Sequence, residues 1–175
     1  LHGINVPTPI PDGSATSPGQ SYTLALAVQP ITVRRAVVTN IITRQEFGDL
    51  FGVLSHNQRT SVLNNHSFAS AIFPLPEQVV YEDNDEHDIP GSKHTDYPGS
   101  LRNFTGEQGI GLWMLTEVDN GLSETGQVDN IFIRLDPQVG TNGAVATIQP
   151  NSFFYDFIDV PPAATNMTIC VNFLA

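Results

Sequence analysis

Short runs of alternating apolar and polar residues, separated by glycine and proline, constrain the fold of this chain more than any other feature of its sequence. The 14 glycines and 13 prolines recur along the chain, and no long stretch keeps a helical period free of them. Tyr22, Leu24 and Leu26 alternate with Thr23 and Ala25, which is the two-residue period of a strand with one buried face. The pattern predicts an all-β domain.

The same alternation predicts strands elsewhere in the chain. They lie at residues 31–43, in a hairpin formed by residues 47–54 and 59–63, and at residues 111–118 and 127–135. We expect residues 64–111, which contain four prolines, to be less regular. Regularly spaced short strands with turn signals are typical of a jelly-roll-like β-sandwich, of the kind found in galactose-binding domains.

Turn-forming residues also suggest where the domain begins and ends. Residues 1–19 are rich in proline and are predicted to form an extended lead-in, followed by the sandwich at residues 20–136. The segment from Asp136-Pro137 to Gly143 is the best boundary in the chain. Beyond it, residues 137–175 are predicted to form extra C-terminal strands, either as a short β extension or as the start of a second β module.

The charge of the chain excludes several classes of partner. Lysine and arginine number 7 against 18 aspartates and glutamates, which gives a net charge of −11. Proteins that bind nucleic acids need cations to replace phosphate counterions, so the charge argues against nucleic acids and anionic membranes. The longest apolar runs are too short to span a bilayer, and we expect any signal peptide to have been removed already.

Four groups of residues occur in an order that is similar to one known family. They are Ile10-Pro11-Asp12, Phe47-Gly48-Asp49-Leu50, Phe104-Thr105-Gly106-Glu107, and the pair Gly111-Leu112-Trp113-Met114-Leu115 with the alternating strand at 125–135. Together they resemble the P domain that follows the protease domain of subtilisin-like proprotein convertases. Glu117 departs from the family, which prefers an apolar residue at that position.

The resemblance implies a secreted, non-catalytic accessory module that stabilises or positions another protein, such as a peptidase. Trp113 and Leu115 share one face of their predicted strand, so we expect them to lie together in the core. Two other functions stay open on the sequence. One is a structural subunit of an extracellular assembly that makes contacts through the segment after Asp136, and the other is a carbohydrate-binding module.

The acidic segment, residues 82–88, is the sharpest local feature. It carries five carboxylates: Glu82, Asp83, Asp85, Glu86 and Asp88. Such a density of like charge needs a cation or full solvation. Ca²⁺ takes six to eight oxygen ligands from carboxylates and carbonyls. The sequence therefore predicts either a structural Ca²⁺ site or a solvated acidic loop.

For the calcium alternative, the expected ligands extend beyond the leading pair in this segment. We expect Asp83 and Asp85 to lead, with Glu86 and Asp88 beside them and Asp49 as a remote ligand. The resemblance supports this expectation, because the segment matches an Asp-rich loop of the P domain. The segment is not an EF-hand, since it lacks the required glycine and terminal glutamate.

Catalytic motifs do not stand out in this sequence. There is no Gly-x-Ser-x-Gly elbow and no His-Glu-x-x-His pair, and His87 and His94 lie seven residues apart without a nearby cysteine. We therefore expect no catalytic residues and no zinc site, and no cofactor other than Ca²⁺. The expected partners are proteins, either a neighbouring domain or like subunits.

Overall fold

The computed structural model describes residues 1–44, 46–67, 73–122 and 125–138. The chain divides into two units, Leu1–Val139 and Gly140–Ala175, and all described residues belong to the first. The C-terminal strands predicted within residues 137–175 therefore lie outside the described residues, apart from the end of the last strand and Gln138. Among the described residues, no helix is long and apolar enough to cross a membrane.

Strands dominate the described part of the chain, which confirms the all-β prediction. The strands are β1 (Thr8–Ile10), β2 (Gly19–Ala27), β3 (Val33–Arg44), β4 (Leu50–His56), β5 (Arg59–Asn65), β6 (Phe73–Tyr81), β7 (Gly111–Asp119) and β8 (Gly126–Pro137). Short 3-10 helices occupy Phe47–Asp49 and Leu101–Phe104. The predicted hairpin is present as β4 and β5, with Asn57 in the left-handed conformation at its turn.

Two antiparallel sheets of four strands form a β-sandwich. Sheet A has the order β1-β8-β3-β6, and sheet B has the order β2-β7-β4-β5. Apart from β4 and β5, consecutive strands belong to different sheets, so most neighbours within a sheet are distant in sequence. This order favours the jelly roll, which stays a prediction together with the likeness to galactose-binding domains.

The alternation of β2 suggested that its large apolar residues face the core, but the opposite face of the strand is buried. Thr23 and Ala25 are buried, whereas Tyr22 and Leu26 are each 48% exposed. The reason lies in the register with β7, where Ala25 pairs with Trp113. The large Trp113 side chain fills the space between the sheets, and only small side chains fit beside it.

One strand, β6, lies inside the segment that was expected to be irregular. Its prolines Pro74 and Pro76 indicated a break, because proline cannot donate a ladder hydrogen bond. β6 stands at the edge of sheet A, where β3 is the one described strand that pairs with it, and an edge strand tolerates proline because an N–H that faces away from the sheet makes no ladder bond. The prediction of an irregular stretch was wrong at residues 73–81.

Candidate functional site

The acidic segment follows β6 directly and folds back against β3 and the Leu101–Phe104 helix. Glu82 and Asp83 are each 5% exposed, so the segment begins in the protein interior. Glu82 accepts backbone hydrogen bonds from Asn84 (2.6 Å) and Asp85 (3.2 Å). Asp85 and His87 both have positive φ angles, so the backbone turns tightly and aims successive carboxylates at different partners.

Asp83 is fully engaged in hydrogen bonds within the protein. It accepts from the backbone N–H of Thr95 (2.9 Å) and Leu101 (2.6 Å), and from the hydroxyls of Thr95 (2.8 Å) and Ser100 (2.7 Å). Burial by itself disfavours the carboxylate, but these four donors outweigh burial and hold the pKa of Asp83 below its usual value. Asp83 therefore ties the acidic segment to the loop that precedes β7.

We expect Asp83→Asn to lower the free energy of unfolding by about 2 kcal/mol, because an amide turns a donor towards groups that are themselves donors. Asp85 is the matched control, since its side chain is 49% exposed, and Asp85→Asn should change the stability by about 0.5 kcal/mol or less. Urea unfolding at pH 7 measures both. The Asp83 contribution exists above the unfolded-state pKa, about 3.9, and is lost as pH falls through the lower folded-state pKa. Equal effects of the two changes would show that Asp83 does not hold the segment.

Arginines compensate most of the remaining charge of the acidic segment. Glu86 pairs with Arg34 and Arg35, and Asp88 Oδ1 lies 2.8 Å from an Nη atom of Arg35. The Arg34 hydrogen bond lowers the pKa of Glu86, and the Arg35 hydrogen bond lowers the pKa of Asp88. The side chain of Arg35 is fully buried, whereas those of Glu86 and Asp88 are 33% and 44% exposed, so the ion-pair cluster extends from the interior to the surface.

Asp85 completes the cluster on the solvent side. Its carboxylate lies 2.7 Å from Arg102 and 3.1 Å from Nε2 of His94, and the other ring nitrogen of His94 lies 3.4 Å from Asp83. The sequence reasoning counted the carboxylates and overlooked these arginines. They are distant in sequence, and Arg34 and Arg35 reach the segment only because β3 and β6 are neighbours in sheet A.

Asp49 does not join the acidic segment. It ends the 3-10 helix that precedes β4, where its carbonyl oxygen faces the backbone N–H of Asn120, the residue that follows β7. Within the described ranges, no group of three or more histidine, cysteine, aspartate or glutamate side chains is arranged to hold a metal ion. A calcium ion at the acidic segment stays a prediction, and it would compete with arginines for Glu86 and Asp88.

His56 and His94 make structural contacts. His56 stacks on Trp113 with ring centroids 4.1 Å apart, and its two ring nitrogens contact the carbonyl oxygens of Leu112 (2.8 Å) and Gln108 (2.7 Å). A ring held by two backbone carbonyls has no nitrogen free to act as a general base. His94 faces two carboxylates, as described above. The hydroxyl of Ser100 donates to Asp83 and not to a histidine.

The outer face of sheet B is a second candidate, and it has the features of a docking surface. We call it the apolar face; across β2, β4 and β7 it comprises Gln20, Tyr22, Leu24, Leu26, Phe51, Val53, Ser55, Leu112, Met114, Thr116 and Val118. None of these positions is charged, although the whole chain carries a net charge of −11. Contiguous apolar patches on a protein surface mark interaction sites.

The alternation of β2 already contains this apolar face, but its large residues suggested the buried side of the strand and not the outer side. Tyr22, Leu24 and Leu26 on β2 pair with Thr116, Met114 and Leu112 on β7 in register. Both strands carry apolar residues on both faces, as expected for strands that are covered on both sides. A strand pattern alone does not tell which apolar face is the core and which binds a partner.

Comparison with known proteins assigns no family to the chain. Neither the protein-family models nor the curated proteins compared with it give a match. The resemblance to the proprotein convertase P domain therefore stays a prediction that rests on residue patterns, since many unrelated functions share the sandwich fold.

Proposed function

We propose that the chain is a non-catalytic accessory module of a secreted protein, and that it docks on a neighbouring domain, such as a peptidase domain, through the apolar face. The observation that carries the proposal is the absence of charge at the outward positions of β2, β4 and β7. Charged residues are depleted at the centre of protein interfaces, and aromatic residues and methionine are enriched there. Tyr22, Phe51 and Met114 fit that composition.

The compensated acidic segment has a structural part in this proposal. Its ion-pair cluster joins β3, β8 and the Leu101–Phe104 helix through Arg35, Arg134 and Arg102. These contacts fix the loops at one side of the sandwich and leave the apolar face free for a partner. A calcium ion at the segment, if it binds, would serve the same purpose of ordering these loops.

We expect the double change Leu26→Ser with Leu112→Ser to weaken docking at least tenfold while leaving the fold intact. The two leucines are register partners at one end of the apolar face and are 48% and 49% exposed. Burying each against a partner should contribute about 1 kcal/mol. The partner is the domain encoded beside this chain in the same gene, and isothermal titration calorimetry with that purified domain gives the dissociation constant.

Leu75→Ser is the matched control, because Leu75 is a leucine on β6 of sheet A with 74% exposure. It should leave docking unchanged. Equal weakening by the control and the double change would remove the apolar face as the docking surface. A wild-type chain that binds no neighbouring domain but self-associates in sedimentation equilibrium would replace the accessory module by the structural subunit of an assembly.

A further inference from the structure

A row of polar residues crosses the inner face of sheet B and lies inside the sandwich. In the strand register, Glu117 on β7 pairs with Ser21 on β2 and with Gly52 on β4, and Gly52 pairs with Asn64 on β5. The side chains of Ser21, Asn64 and Glu117 are at most 3% exposed. Polar groups at such positions are costly unless something satisfies them.

Hydrogen bonds fix how these side chains point. Asn40, which reaches in from β3 of sheet A, donates through Nδ2 to Oε1 of Glu117 at 2.8 Å. Asn64 donates through Nδ2 to the carbonyl oxygen of Leu50 at 2.9 Å, and this bond settles which atom of its amide is the oxygen. Asn64 Oδ1 and Glu117 Oε2 are then left without a hydrogen-bond partner.

The unpartnered oxygens converge above Gly52. A Cβ atom built on Gly52 would lie 2.7 Å and 2.8 Å from the two carboxylate oxygens of Glu117, and closer still to Asn64 Oδ1. Only glycine at this position allows the three oxygens to come together. While Glu117 is ionised all three oxygens are acceptors and repel one another, and either a cation between them or a proton on Glu117 relieves that repulsion.

No arginine, lysine or histidine in the described part of the chain pairs with Glu117. The nearby titratable groups are Asp119, two residues along the same inner face of β7, and Tyr81 of β6, whose pKa is raised first by burial and then by Glu117. Neither can supply a positive charge. The compensation that arginines give to the acidic segment is thus missing here.

We propose that this cluster binds a single hard cation of the size of Ca²⁺ or Na⁺, with Glu117 and Asn64 as its side-chain ligands. Carboxylate and amide oxygens are the ligands that such cations prefer, and a carboxylate often binds with both oxygens. The hydroxyl of Ser21, which lies opposite Glu117 and has no partner, is a further ligand. Asn40 is a positioning residue, because it holds the Glu117 carboxylate through Oε1.

Protons compete with the cation for Glu117. Burial raises the pKa of Glu117 to about 8, against the opposing effect of the Asn40 hydrogen bond. The cation binds the carboxylate and releases its proton.

The test is thermal unfolding of the full chain at pH 8 after removal of metals, in choline chloride, in NaCl and in 10 mM CaCl2. We expect Ca²⁺ or Na⁺ to raise the unfolding midpoint of the wild type by a few degrees, since a ligand that binds only the folded state stabilises it. Glu117→Gln, a neutral isostere, should abolish the rise. Asp85→Asn, on the acidic segment, should keep it.

A second variant tests the site without removing its main ligand. Asn64→Asp places another carboxylate at the convergence point, so it should tighten Ca²⁺ binding at least tenfold in calorimetric titration. Three results would overturn the proposal. The first is a cation-dependent rise of the unfolding midpoint that survives Glu117→Gln. The second is a rise that disappears in Asp85→Asn, because the cation would then bind at the acidic segment, and the third is a wild type whose midpoint depends on pH but not on cations, because a proton alone would then occupy the site.

Discussion

Replacing Trp113 with alanine should lower the free energy of unfolding by about 3–5 kcal/mol, as expected when a large buried aromatic is removed from a core. Trp113 is completely buried, and its ring contacts His56 and Phe104 at centroid distances of 4.1 and 4.9 Å. Its indole N–H donates to the carbonyl oxygen of Gly109 at 2.8 Å. The change therefore creates a cavity and also leaves a buried carbonyl unpaired.

Urea unfolding followed by circular dichroism measures this loss, and Tyr97→Ala is the control. Tyr97 is also a large aromatic, but it is 84% exposed, so its removal should change the stability by about 0.5 kcal/mol or less. A loss below about 1 kcal/mol for Trp113→Ala would mean that the ring does not fill the space between the sheets. In that case the account of why β2 presents small residues to the core also fails.

Local sequence patterns were sufficient for the fold class and for the positions of most strands. The Gly111-Leu112-Trp113 strand and the hairpin across Asn57 were predicted from alternation and turn residues, because both signals are local. β6 was missed because proline is unfavourable in most strands, and the sequence does not tell that β6 lies at a sheet edge. Edge position depends on topology, which is not local.

The face of a strand that becomes the core is likewise decided by contacts across the sheet. Tyr22 and Leu26 are larger and more apolar than Thr23 and Ala25, yet the smaller residues are buried because Trp113 is their neighbour. A chain with an apolar docking surface has two apolar faces on the same strands. Alternation alone does not tell which of the two faces is the core, so the apolar face of sheet B could be identified only from the structure.

Charges in the candidate sites show the same limit. Five carboxylates in residues 82–88 predicted either a bound cation or a solvated loop, and the structure brings Arg34, Arg35 and Arg102 to the segment from elements far apart in sequence. Glu117 was noticed only as a departure from the family pattern. Its inward position on the Trp113 strand follows from simple alternation, so a glutamate at that position was a signal for an internal polar site.

Removing the buried guanidinium of Arg35, which faces the acidic segment, should reduce the stability as much as the Trp113 change does. We expect Arg35→Met to lower the free energy of unfolding by about 3–5 kcal/mol, because it leaves the carboxylate of Glu82, which is 5% exposed, without its cationic partner. Arg35 is fully buried, pairs with Glu86 and Asp88, and has Glu82 and Asp136 within 4 Å of its guanidinium. Methionine keeps most of the packing volume, so the loss reports the charge. Unfolding in urea is the measurement, because guanidinium chloride is a salt and would screen the ion pairs.

The pH dependence of this variant separates an electrostatic loss from a packing loss. In the wild type Arg35 helps to hold the pKa values of Glu86 and Asp88 below their usual range, so their contribution is present above the unfolded-state values and is lost as pH falls through the folded-state values. The difference in free energy of unfolding between wild type and Arg35→Met should therefore shrink as the pH is lowered from 7 to 3.

Arg59→Met is the control, because Arg59 pairs with Glu107 at the surface and its replacement should lower the free energy of unfolding by about 1 kcal/mol or less. A difference that is constant with pH would assign the role of Arg35 to packing. If Ca²⁺ stabilises the variant more than the wild type, the carboxylates of residues 82–88 are competent cation ligands whose place the arginine has taken.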